Sequence, residues 1–390
     1  MKKNILQIVT VMLLILSLVS CQTANTNNTE SSTQASSKEV MTSQEQNEKT
    51  ESTETEPIET EVAETEEIIE SENADLTLDS PVKLVALKGP TAMGLAGYTA
   101  VLQSLETESD ISDLDMVSAN SAVVDYEIMT MPDQVATGLI KGEIDLACIP
   151  ANLAATVYNK SEGKIQVAAI NVSNVLYFAT NNVELNSLED LQGKTIYSTG
   201  QGATPEVILT NLLSKAGLTI GTDVTINFYP EATEVASLLQ AEDGAIALLP
   251  EPFLSSVLLK NEQIHVALDV NELWNEYFPN DIDENNGITT GVLVVQKDFA
   301  AQNSEWFEQF LADYQASTEW VNQNPAAAAE IIGEQEIIGA AVAEKAIPNC
   351  GITFLKGEDL KSTLSPYLEI LATNNPELVG GELPEADFYY

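Results

Sequence analysis

Arginine is missing from this sequence: all 16 basic residues among the 390 are lysines, set against 60 acids, for a formal net charge of −44. Without a guanidinium, no side chain anywhere in the chain can form the bidentate clamp that grips a carboxylate, sulfonate or phosphate. A surface this acidic repels nucleic acid, whose binding depends on Lys and Arg neutralising phosphates, so DNA and RNA are set aside as partners. Histidine occurs once, at His265 in the apolar run "IHVALDV". It reads as a core or surface residue. With no CxxC, no HExxH and no second histidine, a zinc site has nothing to stand on, and no metal or cofactor is expected. No Ser carries a G-x-S-x-G setting and no Cys lies in a nucleophile motif, so no catalytic residue is assigned. An enzyme is the minority reading. Cysteine occurs three times, as Cys21, Cys148 and Cys350. The last two either pair outside the cell or remain two buried thiols, and distance along the chain says nothing about their geometry.

Aromatic residues are absent from residues 22 to 80, which are built from Thr, Ser, Glu, Gln and Asn. Such a stretch cannot bury enough apolar surface to offset chain entropy and is expected to be disordered. From Cys21 to Ser80, 16 acids against 2 lysines give −14. Self-repulsion should extend residues 21–80 into an acidic tether. Ahead of it, Lys2 and Lys3 precede an apolar stretch from Ile8 to Val19 that is short for a membrane span. Residues 1–20 therefore read as a secretory signal. Their ending, "LVSC", resembles a lipobox, in which cleavage leaves Cys21 as a lipid-carrying N-terminus held at the membrane.

The 310 residues from Pro81 carry 44 acids and 12 lysines. Residues 124 to 160 align without a gap on residues 224 to 260, at an offset of 100, with Val135/Val235, Leu139/Leu239 and Pro150/Pro250 among the identities. Upstream, "KLVALKGPTAMG" from Lys83 matches "KTIYSTGQGATP" from Lys194 at an offset of 111, so the first copy carries about 11 extra residues, placed in "ETESDISDLDMVSA". Each unit reads β-loop-α-β-α-β-α, which predicts an α/β protein of two lobes, each a mostly parallel sheet flanked by helices. The runs after each unit, "KIQVAAINVSNVLYFATNN" and Gly287 to Phe299, are placed to cross between lobes as a two-strand hinge. Lobe 1 would begin with residues 81–175, lobe 2 would be 176–287, and a return strand and helices in 288–390 would complete lobe 1. The stripe Trp306, Phe307, Phe310, Leu311, Tyr314 and Trp320 has helical spacing and reads as core.

The first glycine turn, Gly89 to Gly94, has the G-x-x-x-x-G spacing of a phosphate loop. Leu95 and Ala96, however, stand where Lys and Ser or Thr are needed. In open α/β sheets, ligands gather beyond the carboxyl ends of strands. Those ends hold Lys88, Gly89, Pro90, Thr91 and Met93; Pro150, Ala151 and Asn152; Asn171 to Asn174; Thr199, Gly200, Gln201, Gly202, Ala203 and Thr204; and Pro250, Glu251 and Pro252. Each glycine loop opens a helix and so offers unpaired backbone N–H groups. Glu251 would accept from a ligand amine or, alternatively, sit as a solvated acid at a helix start.

With "GEIDLACIPANLA", "LPEPFLSSVL" and the ending "LPEADFYY", the chain resembles ABC-transporter solute-binding lipoproteins of the nitrate, sulfonate, taurine and thiamine-precursor type. The resemblance covers nearly everything after Pro81 and implies the type II periplasmic-binding-protein fold. It implies ligand contacts from Gly89 to Met93, from Ala151 and Asn152, from Gly200 to Thr204 and from Glu251. As partners it implies a small molecule and an ABC permease with its ATPase, served by a monomer on the outer face of the cytoplasmic membrane. The missing arginine departs from an oxyanion clamp, although Lys88 and helix N-termini could still hold one, and it inclines the reading to a neutral, amine-bearing or heteroaromatic solute. Tyr98, Tyr126, Tyr177, Tyr197 or Phe253 are possible stacking walls. An enzyme on the same fold, or a surface sensor or adhesion protein keeping the cleft, are the alternatives.

Overall fold

The computed structural model describes Leu78, residues 80–107, 124–278 and 288–390. The expected signal segment, Cys21, nearly all of the tether and most of the surplus after the first strand lie outside the described residues.

Eleven strands are present among the described residues: β1 Val82–Leu87, β2 Val124–Met129, β3 Leu146–Pro150, β4 Ile165–Ser173, β5 Leu176–Asn181, β6 Thr195–Thr199, β7 Thr225–Tyr229, β8 Ile246–Pro250, β9 Ile264–Asp269, β10 Thr289–Gln296 and β11 Ile352–Leu355. They form two sheets, ordered β11-β4-β10-β3-β1-β2 and β7-β6-β8-β5-β9. In the first, β1 to β4 run one way while β10 and β11 oppose them. In the second only β5 is reversed. Apart from the edge strand β11, the two orders are the same. In each sheet the strand that has crossed from the other lobe is inserted, antiparallel, beside the third strand.

The helices are α1 Pro90–Met93, α2 Ala96–Thr107, α3 Pro132–Lys141, α4 Ala151–Lys160, α5 Thr204–Lys215, α6 Ala232–Ala241, α7 Phe253–Leu258, α8 Val270–Tyr277, α9 Lys297–Gln302, α10 Ser304–Gln323, α11 Pro325–Glu334, α12 Ala340–Ala346 and α13 Gly357–Asn374. Their local chemistry is readable. α3 opens on Pro132, where a missing N–H costs nothing, carries Asp133 in its first turn and Lys141 in its last, and closes on Gly142 at φ 72°. Asn324-Pro325 ends α10 and also begins α11. The aromatic stripe of α10 is buried in the same core as side chains of β1 and β3, with α10 packed on α2 and β11.

Strand pairing corrects the upstream offset. Leu84 pairs with Tyr126 and Leu146, while Ile196 pairs with Ile226 and Ile246. The equivalent positions are thus 112 apart upstream and 100 apart downstream, one residue more than the lysine alignment gave. Matching Lys83 to Lys194 reverses the face on which every β1 side chain lands, because strand side chains alternate.

The chain crosses from the first sheet to the second at Asn174-Val175 and returns between α8 and β10. At the first crossing Ser173 N–H donates to Gly351 O at 2.9 Å and Asn174 N–H to Ile288 O at 3.0 Å. The C-terminal helices do more than complete the first lobe. α13 packs against α4, β4 and β10 but also against α5, and α12 packs against α7 of the second lobe. The chain end is strapped to the first sheet, with Tyr390 N–H on Val167 O at 3.0 Å and Asp387 held by Lys297 and Tyr158.

Candidate functional site

Between the two sheets, at the carboxyl ends of β3, β6 and β8, lies a pocket of about 260 Å³. The first lobe lines it with Pro150, Asn152, Thr289 and Thr290; the second with Leu176, Thr199, Ala203, Thr204, Pro205 and Pro250; α13 adds Tyr367. A larger groove, about 400 Å³, borders Leu78, Pro81 and Asp145 at the opposite ends of the first sheet's strands, away from every strand-end residue singled out above.

Of the expected contacts, the pocket brings together Asn152, Ala203 and Thr204. The first glycine turn contributes none to its lining. Lys88 is exposed, with its N–H on Met129 O at 2.8 Å. Gly89, at φ 127°, starts α1, and Pro90 brings no N–H. Thr91 Oγ1 donates to Leu87 O at 2.7 Å. Met93 and Ala151 are buried in the core, Met93 because α1 turns it beneath the strand ends.

Asn171 is 1% exposed and belongs to a buried polar cluster behind the turn. Its Nδ2 donates to Tyr314 Oη at 2.9 Å and to Thr91 O at 3.2 Å, and Tyr314 Oη lies 3.5 Å from Cys148 Sγ. Burial pushes the Cys148 thiol up to about 12, so it is protonated and unreactive at neutral pH. Cys148 and Cys350 are both buried and free, which settles the pairing question for the described residues.

The second turn uses up much of its own hydrogen-bonding capacity. Gly200 has φ 77°, and a Cβ there would meet the Pro205 ring at 2.7 Å, so glycine is required on both counts. Ala203 N–H returns to Gly200 O at 3.0 Å, Gly202 N–H donates to Glu206 Oε2 at 2.5 Å, and Pro205 has no N–H. Gln201 and Gly202 are exposed.

Glu251 is 2% exposed, and both its oxygens are spent on α7: Oε2 accepts from Ser255 N–H at 2.9 Å and Oε1 from Ser255 Oγ at 2.8 Å. Burial raises its pKa, opposed by those bonds and by Lys345 and Asn349. It holds the first turn of α7, which packs against α12, and it does not line the pocket. Three of the five stacking candidates have other partners. Tyr98 packs edge-on against Phe310, Tyr177 Oη donates to Asn349 O at 2.8 Å, and Tyr197 Oη donates to Glu242 Oε2 at 2.6 Å. The ring that does line the pocket is Tyr367, whose phenol burial pushes well above its ordinary value while a hydrogen bond with Thr204 opposes the shift. Sequence reasoning missed Tyr367, Thr289 and Thr290. The threonines follow a glycine at the start of a strand already read as a crossing, which was the available signal; Tyr367 sits mid-helix with none.

Two sheets of one strand order, joined by crossings with a pocket between them, define a two-lobed periplasmic-binding-protein fold. Solved structures share it. A crystal structure of an ABC transporter from Parabacteroides distasonis matches with a TM-score of 0.63 and 24% identity, over 80% of this chain and 99% of that one. The periplasmic aliphatic sulphonate binding protein SsuA of Escherichia coli matches at 0.59 and 14%, over 80% and 92%. The periplasmic nitrate-binding protein NrtA of Synechocystis PCC 6803 matches at 0.50 and 14%, over 76% and 82%. No curated protein matches the chain. Residues 95–341 match the family of phosphonate periplasmic substrate-binding proteins of ABC transporters, and the chain belongs to that family. Its members bind solutes for import and are not enzymes.

Proposed function

We propose that this chain captures a small organic molecule in the cleft between its lobes and delivers it to an ABC permease with its ATPase. The observation that carries the reading is the pocket of about 260 Å³ lined by strand ends and helix starts of both sheets, so that one solute touches both walls at once. A ligand that bridges two walls favours the closed arrangement by its differential affinity for it. Residues 81–175 and 288–390 act as one wall and residues 176–287 as the other. Asn152, Ala203 and Thr204 make direct contacts, while Lys88 to Thr91 and Gly200 to Gly202 form the rim. The protein works as a monomer on the outer face of the cytoplasmic membrane, held by lipid on Cys21 and spaced from it by the acidic tether. Among the described residues no helix is long and apolar enough to cross a membrane.

A thermal-shift screen tests solute capture, since a compound bound only by the folded state raises the melting temperature by mass action. Stabilisation by a compound whose effect is lost on substituting Asn152 is the expected result; a flat response across a broad metabolite set counts against transport. Mass spectrometry of the Cys21 peptide from membranes tests the anchor, and an unmodified cysteine there removes it.

A further inference from the structure

The matched family is described by an anionic substrate, yet the pocket carries no charge to hold one. None of its lining residues is ionic at neutral pH. Lys88, the cation of the first turn, does not line it, and the chain offers no arginine. Several backbone donors around the second turn and the start of α7 are engaged within the chain. Gly202 N–H holds the Glu206 carboxylate, Ala203 N–H holds Gly200 O, and Ser255 N–H holds the Glu251 carboxylate. Pro90 and Pro205 supply no N–H at the starts of α1 and α5. Two of the chain's own carboxylates thus hold strand-end donors beside the pocket, in a protein of net charge −44 whose field repels an oxyanion.

What the pocket does offer is a mostly apolar lining with one buried, unpaired hydroxyl at its edge. Pro150, Pro205 and Pro250 supply rigid faces and Tyr367 an aromatic one. Thr289 is fully buried, and its Oγ1 has no hydrogen-bond partner although it borders the pocket. A buried hydroxyl left unpaired is costly unless something else pairs with it. The volume is near the lower end of small-molecule sites, which suits one or two fused rings.

Taking the cleft to be the solute site, as proposed above, we infer that its ligand is an uncharged, ring-bearing organic molecule whose polar edge hydrogen-bonds Thr289 Oγ1, not an oxyanion. The purified protein should be screened by thermal shift against two panels. One holds methylphosphonate, ethanesulfonate, nitrate and inorganic phosphate; the other holds uncharged ring compounds such as adenine, cytosine, nicotinamide and benzyl alcohol. Stabilisation is expected from the second panel only. Calorimetric affinity for the stabilising compound should be insensitive to added salt, and should fall by about tenfold in Thr289→Val, roughly the loss of one good hydrogen bond. Without ligand the variant should melt no lower than the parent, because the hydroxyl it removes pairs with nothing. An anion that stabilises the protein overturns the ligand class and leaves solute capture standing. A ring compound that binds the variant as well as the parent overturns the Thr289 contact. No response to either panel overturns this inference and counts against solute capture too.

Discussion

At the tip of β3 the chain reads Pro150-Ala151-Asn152, and at the tip of β8, a hundred residues on, Pro250-Glu251-Pro252. Both prolines reach the same pocket, but the next positions part company. In the first lobe Ala151 packs into the core, Asn152 turns to the cleft, and Ala155 follows one helical turn later. In the second, Glu251 is buried and takes both its hydrogen bonds from Ser255, the counterpart of Ala155. The difference teaches that a duplicated backbone keeps the address of a site while leaving each copy free to choose its chemistry. One copy kept an open polar side chain there; the other closed on itself.

The sharpest break in the comparison is at glycines. A Cβ on Gly351, which sits under the first crossing at φ 55°, would lie 1.4 Å from Ser173 O, so Gly351→Ala must push the crossing apart. A loss of about 4 kcal/mol or more in urea unfolding is expected. Gly244, before β8 in the second lobe, has φ 81° and nothing within 4 Å of its would-be Cβ. Its alanine variant should lose only about 1 kcal/mol, the cost of the left-handed backbone. Equal losses would remove the steric argument.

Next in size is the Glu251–Ser255 pair. Ser255→Ala strands a buried carboxylate and should cost about 2 kcal/mol. Adding Glu251→Ala recreates the Ala151/Ala155 pair of the first lobe and should recover part of that loss, a coupling that a double-mutant cycle reads directly. Additive losses would mean the two side chains act apart.

Glu251 also sets a pH dependence that the first lobe lacks at this position. Its pKa is raised in the folded state, so the folded chain holds the proton more tightly than the unfolded one. Stability from this group is therefore greatest at and below the ordinary carboxylate range and falls as pH rises from there through the folded pKa. In Glu251→Gln this downward slope should vanish from melting temperature against pH; an unchanged slope would assign it to other groups. Smallest of all, Tyr177→Phe removes the hydrogen bond to Asn349 O across the α12 seam. About 1 kcal/mol should be lost, with small-angle scattering showing a larger radius of gyration if that bond holds the lobes together.

Much of the fold was legible because the repeated prolines and glycine turns mark strand ends, and strand ends fix an α/β layout. The one-residue slip at Lys83/Lys194 shows the limit, since a lysine at a strand's start does not define which face follows. Reading strand ends put forward Asn152, Ala203 and Thr204, which line the pocket between the sheets. It also put forward Met93 and Asn171, which the structure buries, because a strand or a short turn sends neighbours to opposite sides. It missed Tyr367, which reaches the pocket only through the path of α13 behind both lobes, a tertiary fact with no local mark.

The second sheet is drawn entirely from one unbroken stretch, Leu176 to Asp269, whereas the first waits for β10, for β11 and for Tyr390 to pair with Val167. Loop-closure entropy must be overcome before such distant strands reward it. A chain emerging from its N-terminus can therefore finish its second sheet first. The lobe whose sheet begins earlier in the sequence is the later one to be sealed, because β10, β11 and Tyr390 must reach it first.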